Sequence, residues 1–254
     1  MKIGVYQGHA VGKESEHAFA VIEDTLKAAS SVGTDIVVFP ELFIPGYNQP
    51  DLHRALAQPS GGEWEQRFAS LAATHSCGLV IGWAEKDGEK IFNTASAYDA
   101  SGAKIGHYRK IQLFGPIEKS VFEFGDSYCT FDVAGTKVGL LICYDIEFAQ
   151  HTWALRELGA DLLLIPTANP IDFDNVPDLL VPARAAENGM VIAYANYCGS
   201  EGNVTYGGKS VIVDGNGAVI AQAGRCPTLL IADLAQVAQP LSTQHQDYRD
   251  INRA

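Results

Sequence analysis

Short apolar runs, each followed closely by a polar residue, recur along the chain. The three most regular runs cover residues 35–40, 138–142 and 161–166. Runs this short and this rich in branched residues are typical of strands that are buried on both faces. They lead directly to Glu41 and to Cys143 and, within three residues, to Asn169. Open α/β sheets bind ligands beyond the carboxyl ends of their strands, so these three residues should meet at one rim if their strands are parallel neighbours.

Apolar residues at helical spacing lie between many of these runs. The spacing predicts helices at residues 14–31, 63–75, 148–158 and 178–188. The remaining apolar runs predict strands at residues 2–7, 78–84, 92–98, 104–111, 190–196, 208–213, 219–222 and 229–233. Residues 42–50 and 113–125 are predicted to be loops. Helices alternate with strands early in the chain and strand follows strand late, which predicts an α/β fold with mixed sheets covered by helices.

Cys143 is the candidate nucleophile, because a thiolate attacks carbonyl and nitrile carbons once a neighbouring base has taken its proton. Glu41 is the candidate base. Lys110, at the end of a predicted strand, can hold the negative charge that develops on the substrate, helped by the backbone N–H of Tyr144. Glu118 follows in the next predicted loop as a second carboxylate for positioning substrate or water. A buried structural cysteine is the alternative, because most free cysteines are buried and inert.

Other site chemistries have less support in the sequence. None of the seven histidines ends an apolar strand in the way that Glu41 does, which disfavours a Cys–His pair. No HExxH motif and no close His/Cys cluster is present, so neither a metal nor a cofactor is expected. Cys198 is expected in the core. Arg184 and Glu187 have the spacing of an ion pair on one helix.

Composition narrows the class of protein further. A chain of 254 residues can bury one large core, and its formal net charge of −12 argues against nucleic acid or an anionic membrane as a partner. The five cysteines show no CxxC spacing, which fits reduced thiols rather than a disulfide framework. Residues 1–6 have the pattern of a core strand rather than of a signal peptide. We therefore expect a cytoplasmic protein.

Three short motifs resemble the signature segments of the nitrilase (carbon–nitrogen hydrolase) superfamily, in the same order: Val38-Phe39-Pro40-Glu41, Tyr108-Arg109-Lys110 and Leu141-Ile142-Cys143-Tyr144-Asp145. The resemblance covers essentially the whole chain. It implies a four-layer α-β-β-α sandwich with two mixed β-sheets, in a single carbon–nitrogen hydrolase domain over residues 1–254. It also implies that Glu41, Lys110 and Cys143 form a Glu-Lys-Cys triad, with Glu118 as the supporting glutamate.

At a finer level the chain resembles the aliphatic amidase branch, and most closely 5-aminopentanamidase-like amidases. The similar segments are residues 108–115, 140–148, 166–169 and 195–199. Tyr144 is amidase-like, whereas typical true nitrilases carry Trp after the cysteine. The resemblance implies hydrolysis of a short aliphatic primary amide through a cysteine thioester. The alternatives are a nitrile or N-carbamoyl amine hydrolase, or a catalytically silent member that binds a small molecule.

The same resemblance implies a homodimer or larger homo-oligomer, with Trp153 on the helix after the nucleophile as a candidate contact. Tyr47, Tyr144 and Asn169 are the expected substrate-binding residues around the catalytic strand ends. A substrate with a free amino group, such as 5-aminopentanamide, would also need an anionic partner. The candidate carboxylates for that partner are Asp172, Asp174, Asp178 and Glu201.

Overall fold

The computed structural model describes residues 1–11, 13–237, 240, 247 and 249. In this part of the chain the strands are β1 (Lys2–Gln7), β2 (Ile36–Val38), β3 (Gly78–Asp87), β4 (Lys90–Tyr98), β5 (Lys104–Arg109), β6 (Thr130–Val133), β7 (Thr136–Leu140), β8 (Leu162–Pro166), β9 (Val191–Ala195), β10 (Cys198–Glu201), β11 (Val204–Gly207), β12 (Val211–Val213), β13 (Val219–Gln222) and β14 (Thr228–Asp233). The α-helices are α1 (Ser15–Ser30), α2 (Pro50–Leu56), α3 (Glu63–His75), α4 (Gly115–Val121), α5 (Ala149–Glu157) and α6 (Val181–Asn188).

The strands form two six-stranded mixed sheets. The first sheet has the order β14-β1-β2-β3-β4-β5, with β1, β2 and β3 parallel and the other pairs antiparallel. The second sheet has the order β13-β12-β9-β8-β7-β6, with β7, β8 and β9 parallel. The central strands are buried along their whole length, as their unbroken apolar runs predicted. The remaining two strands, β10 and β11, form a separate hairpin.

The two sheets pack face to face and helices cover their outer faces. Val38 of β2 and Leu140 of β7 belong to one buried cluster that joins both sheets. On the opposite face of β2, Val37 packs in a second cluster with residues of α1 and α3. Gly139 lets α5 approach the second sheet, because a Cβ there would lie 3.1 Å from Leu155. The predicted four-layer α-β-β-α sandwich is therefore confirmed.

Several connections differ from the sequence prediction. The predicted loop 113–125 contains helix α4, and helix α2 follows the predicted loop 42–50. Pro116 and Pro50 lie in the first turns of these helices, where a fixed φ favours helix initiation and no N–H is lost. The predicted strand 208–213 begins only at Val211, because Gly208 and Lys209 have φ of 64° and 55°. Hairpin β10–β11 was not predicted.

Helix α5 begins and ends within one residue of the predicted helix 148–158 and carries Trp153. The oligomeric contact expected at this helix stays a prediction. Among the described residues, no helix is both long enough and apolar enough to cross a bilayer.

Candidate active site

Three buried charged side chains meet at the edge of the first sheet. The Lys110 ammonium lies 2.6 Å from Oε1 of Glu41 and 2.9 Å from each carboxylate oxygen of Glu118. Lys110 and Glu41 are fully buried, and Glu118 is 2% exposed. Removing one member of such a buried charged group lowers the stability of the protein, because the other members lose their partner. The three residues therefore act as a unit. The sequence prediction that these residues lie together is confirmed; their catalytic roles stay a proposal.

Glu41 is held at the end of β2 by its neighbours on β3 and β4. Asn93 donates its side-chain N–H to Oε1 of Glu41 at 2.7 Å, and its backbone carbonyl accepts the Lys110 N–H at 2.8 Å. Gly82 makes this approach possible, because a Cβ there would lie 2.7 Å from the Cα of Glu41. The second oxygen, Oε2, is buried and has no hydrogen-bond partner among the described residues. That oxygen is available to accept a proton.

Glu118 lies in the first turn of α4, not in a loop. Its Oε2 accepts the backbone N–H of Phe114 at 3.0 Å, and its Oε1 accepts the hydroxyl of Tyr47 at 2.7 Å. A carboxylate in the first turn of a helix is also stabilised by the helix dipole. The helix therefore fixes the position of the Glu118 carboxylate, which the sequence analysis placed in a loop.

Cys143 begins a short 3₁₀ turn, Cys143–Glu147, which follows strand β7 of the second sheet after two intervening residues. Its φ is 46°, in the left-handed region, which costs a non-glycine residue about 1–3 kcal/mol. Such strain is typical of functional turns, and here the Ile142 N–H donates to the Asp145 carboxylate at 2.9 Å across the turn.

The environment of the thiol sets its protonation state. Burial and the negative charge of Glu41 raise the pKa of the Cys143 thiol well above its usual value. Lys110 and hydrogen bonds from Thr167 and from the Ala168 backbone act in the opposite direction. The resting thiol therefore keeps its proton, and a thiolate forms only when a base removes that proton.

Glu41 is suited to be that base. Burial raises the pKa of Glu41 to about 7, while Lys110 lowers it and Glu118 raises it. Burial alone would lower the pKa of Lys110, but the charges of Glu118 and Glu41 outweigh burial and raise that pKa. A carboxyl group that titrates near neutral pH can both accept and return a proton.

Asp145 ties the two sides of the site together, a role that the sequence prediction missed. Its Oδ2 accepts the Tyr108 hydroxyl at 2.8 Å and the Ile142 N–H at 2.9 Å. Its Oδ1 accepts the Gln112 N–H at 2.7 Å. Burial raises the pKa of Asp145 to about 6. A polar residue three positions after a buried apolar run was the available signal.

The expected rim of three parallel neighbours is only partly correct. Cys143 and Asn169 follow β7 and β8, which are parallel neighbours in the second sheet. Glu41 follows β2 of the first sheet and reaches them across the sandwich, where its N–H donates to the Thr167 carbonyl at 3.3 Å. All three strands have the same apolar pattern, so their sequences do not distinguish between the sheets.

A pocket enclosing about 240 Å³ of empty space, open to solvent, lies beside Cys143. Its lining residues are Tyr47, Phe114, Cys143, Tyr144, Glu147, Ala168, Asn169, Pro170 and Phe173. The three predicted substrate-binding residues are thus all in the wall. Asn169 also supports its own turn, since its side chain donates to the Phe173 carbonyl at 2.9 Å. The sequence prediction missed Phe114, Glu147 and Phe173.

The four carboxylates proposed for a substrate ammonium do not line this pocket. Asp174 and Asp178 form ion pairs with Lys209 at 3.0 and 2.5 Å. Glu201 accepts the Tyr206 hydroxyl at 2.6 Å and the Asn48 N–H at 2.8 Å. Asp172 is exposed in a 3₁₀ turn. Asp174, Asp178 and Glu201 are therefore already bound to other residues.

The rival site chemistries find no support in the described part of the chain. None of the six described histidines lines the pocket, and His245 lies outside the described residues. His151 instead contacts Tyr128 and Gln112. The described residues contain no group of three or more His, Cys, Asp or Glu side chains arranged to hold a metal. The predicted Arg184–Glu187 ion pair is present at 3.1 Å.

Comparison with known proteins adds independent findings. A sequence model of the carbon–nitrogen hydrolase family matches residues 2–241. The hydrolase in the pqqF 5′ region of Pseudomonas protegens is 40% identical over 211 residues, 82% of this chain and 74% of that protein. An (R)-stereoselective amidase from Pseudomonas sp. is 31% identical over 227 residues, 89% of this chain and 81% of that protein. The solved structure of an amidase from Nesterenkonia sp. AN1 in complex with acrylamide has a TM-score of 0.90 at 33% identity, covering 98% of this chain and 94% of that one.

Proposed function

Because the chain belongs to the carbon–nitrogen hydrolase family, we propose that it hydrolyses a short aliphatic primary amide to a carboxylate and ammonia through a thioester on Cys143. The observation that carries this proposal is the buried pair of Glu41 and Lys110, whose charges both act on the Cys143 thiol. A base with a pKa of about 7 beside a protonated thiol fits general-base activation of a nucleophile.

In the first half-reaction Glu41 takes the thiol proton through its free Oε2 as the sulfur bonds to the amide carbon. The Lys110 ammonium and the Tyr144 N–H stabilise the negative charge that develops on the substrate oxygen. Glu41 then gives its proton to the amide nitrogen, the C–N bond breaks and ammonia leaves. The acyl group stays on Cys143 as a thioester.

In the second half-reaction water attacks the thioester carbon while Glu41 takes one of its protons. The C–S bond breaks, Glu41 returns the proton to the sulfur, and the carboxylic acid leaves and loses its own proton to solvent. Glu118 positions Lys110 by contacting its ammonium with both oxygens, so that the charge stays beside the reacting carbon in both half-reactions. The reaction thus proceeds by a ping-pong route.

A solved relative supports a small substrate. One structure of the Nesterenkonia amidase holds butyramide, a short aliphatic primary amide, with a TM-score of 0.89 to this chain. Within this substrate class we propose an ω-amino amide such as 5-aminopentanamide.

The test is a substrate panel measured by kcat/KM with the wild type. The panel contains pentanamide, 5-aminopentanamide, pentanenitrile, an N-carbamoyl amine and glutamine. We expect ammonia release from the amides to exceed hydrolysis of the other compounds. Cys143→Ala should reduce amide turnover to background while keeping the far-UV circular dichroism of the wild type, because it removes the nucleophile.

Cys226→Ala is the matched control, because it removes an exposed thiol and should retain wild-type rates. If the nitrile or the carbamoyl compound is the best substrate, the amidase assignment is wrong. If Cys143→Ala keeps full activity, the thioester route itself is wrong. A wild type that binds amides but turns over nothing on the panel would instead indicate a binding protein.

A further inference from the structure

One carboxylate in the pocket wall has no partner. Glu147 is the last residue of the 3₁₀ turn that begins at Cys143, and it is partly exposed to the pocket. Its carboxylate makes no hydrogen bond and no ion pair with any residue that the structure describes. The charges of Lys110 and Arg184 act on it only from a distance, and burial raises its pKa. A partly buried carboxylate without a partner is available to a ligand.

The Arg184 cation, whose charge acts on Glu147, already binds other groups. The Arg184 guanidinium donates to the backbone carbonyls of Ile146 and Glu147 at 3.2 and 2.9 Å, and pairs with Glu187 at 3.1 Å. Arg184 therefore fixes the main chain of the turn but leaves the Glu147 side chain unpaired. Lys110 is likewise bound by two carboxylates.

The rest of the pocket wall fits the other parts of an ω-amino amide. Phe114, Tyr144 and Phe173 form contiguous aromatic pairs, with ring centroids 5.2 Å apart for Phe114–Tyr144 and 5.8 Å apart for Phe114–Phe173. Aromatic rings cover a methylene chain and attract a cation through their faces. A carboxylate among aromatic rings is thus a suitable site for an ammonium group.

The turn also separates the two ends of such a substrate. A 3₁₀ helix rises about 2 Å per residue, so four residues place Cys143 and Glu147 roughly 8 Å apart along the axis. We propose that Glu147 binds the ammonium group of an ω-amino amide whose amide carbon lies at Cys143, with several methylene groups between them. The inference rests on the proposed amidase function and assigns the specificity to Glu147 rather than to Asp172, Asp174, Asp178 or Glu201.

The test compares kcat/KM for 5-aminopentanamide, 5-hydroxypentanamide and pentanamide on each enzyme variant. We expect the wild type to prefer the amino compound over the other two. In Glu147→Gln the amino-to-neutral ratio should fall about 10- to 100-fold, mainly through KM, because a charge-assisted hydrogen bond is lost. Both substrates are measured on the same preparation, so any loss of folded enzyme cancels from the ratio.

Asp172→Asn is the matched control, since it removes an exposed carboxylate outside the pocket and should leave the ratio unchanged. Glu147→Asp shortens the carboxylate by one methylene and should shift the preference toward 6-aminohexanamide. An unchanged ratio in Glu147→Gln, or equal loss of all three substrates, would overturn the assignment of Glu147 while the amidase function stands. Equal rates for the amino and hydroxy compounds in the wild type would overturn it too. If no amide is hydrolysed at all, the proposed function fails and this inference fails with it.

Discussion

The two sides of the pocket differ in burial and in the pairing of their charged groups. On the side of the first sheet, Glu41, Lys110 and Glu118 are buried and linked by contacts of 2.6 to 2.9 Å. On the side of the second sheet, the turn Cys143–Glu147 begins with a strained residue and ends with an unpartnered carboxylate. The first side is closed to solvent and its charged groups contact one another, whereas the second side is partly open.

This difference separates chemistry from recognition. A buried charge that loses its partner strongly destabilises the folded protein. A substitution of any one charged residue on the first side should therefore lower stability. A partly exposed wall residue such as Glu147 can be replaced at little cost to stability. We therefore expect activation of the Cys143 thiol to depend on the first side, and substrate choice to depend on Glu147 at the far end of the turn on the second side.

Among changes to the closed side, replacement of Lys110 should have the largest effect. Lys110→Met should lower kcat about 10²–10³-fold, because it removes the charge that faces the developing oxyanion. It should also lower the free energy of unfolding by about 3–5 kcal/mol, since two buried carboxylates lose their cation. The loss of stability should be greater at pH 8 than at pH 5, because burial raises the pKa of Glu41 to about 7 and its carboxyl group is protonated at pH 5. Urea denaturation at both pH values, together with initial rates, measures these effects.

Lys104→Met is the matched control for that variant. Lys104 also pairs with a buried carboxylate, Glu65, at 3.0 Å, but it is partly exposed and outside the pocket. Its loss should cost about 1 kcal/mol or less and leave kcat unchanged. If both lysine variants lose the same stability and neither loses activity, the closed side has no special role.

The sequence was sufficient to find the closed side but not to describe how it is held. Polar residues that follow apolar runs located Glu41, Lys110 and Cys143, because strand ends in a layered sheet are fixed by the buried pattern itself. The same pattern did not distinguish the sheet of β2 from the sheet of β7, since both strands are equally apolar. Which strands pair depends on long-range packing that no local pattern records.

The open side was harder to predict for a different reason. Asp145 and Glu147 are two positions apart in one short turn, yet one is fully buried and the other lines the pocket. Only the 3₁₀ geometry of the turn separates their environments. Asp174, one of the aspartates expected to bind an ammonium, lies outside the pocket and pairs with Lys209 and Arg225, which are distant in sequence.

The pH dependence sharpens the same comparison. The acid limb of kcat/KM for pentanamide should have an apparent pKa of about 7, because burial raises the pKa of Glu41 and only its ionised form can accept the thiol proton. Activity should then fall about 50-fold between pH 7, where roughly half of Glu41 is ionised, and pH 5. Pentanamide carries no titrating group, so the limb reports the enzyme.

Ionisation of the Glu41 carboxyl group, which activity requires, lowers the stability of the folded protein. Between pH 4.5 and about 7 the folded protein binds this proton more tightly than the unfolded chain, so the contribution of Glu41 to stability falls as pH rises through that window. An acid limb at the ordinary carboxyl value near 4.5 would contradict the role of burial. A limb near pH 6 would point to Asp145 instead.

The smallest expected effect concerns Tyr47, which belongs to both sides of the pocket. Its ring lines the pocket, while its hydroxyl donates to Glu118 at 2.7 Å. In Tyr47→Phe the ring stays and one hydrogen bond to a charged group is lost, a change of about 1.5 kcal/mol or roughly tenfold. Because that bond holds Glu118 against Lys110, the loss should appear in kcat rather than in KM.

A second tyrosine–glutamate bond provides the control for this last prediction. Tyr206 donates to Glu201 at 2.6 Å outside the pocket, so Tyr206→Phe should lower stability by a similar amount without lowering kcat. The preference for 5-aminopentanamide over pentanamide should be unchanged in Tyr47→Phe, because the hydroxyl supports the chemistry and Glu147 determines the recognition. If Tyr47→Phe instead raises KM and removes that preference, the Tyr47 hydroxyl contacts the substrate. The separation between a catalytic side and a recognition side would then not hold at this residue.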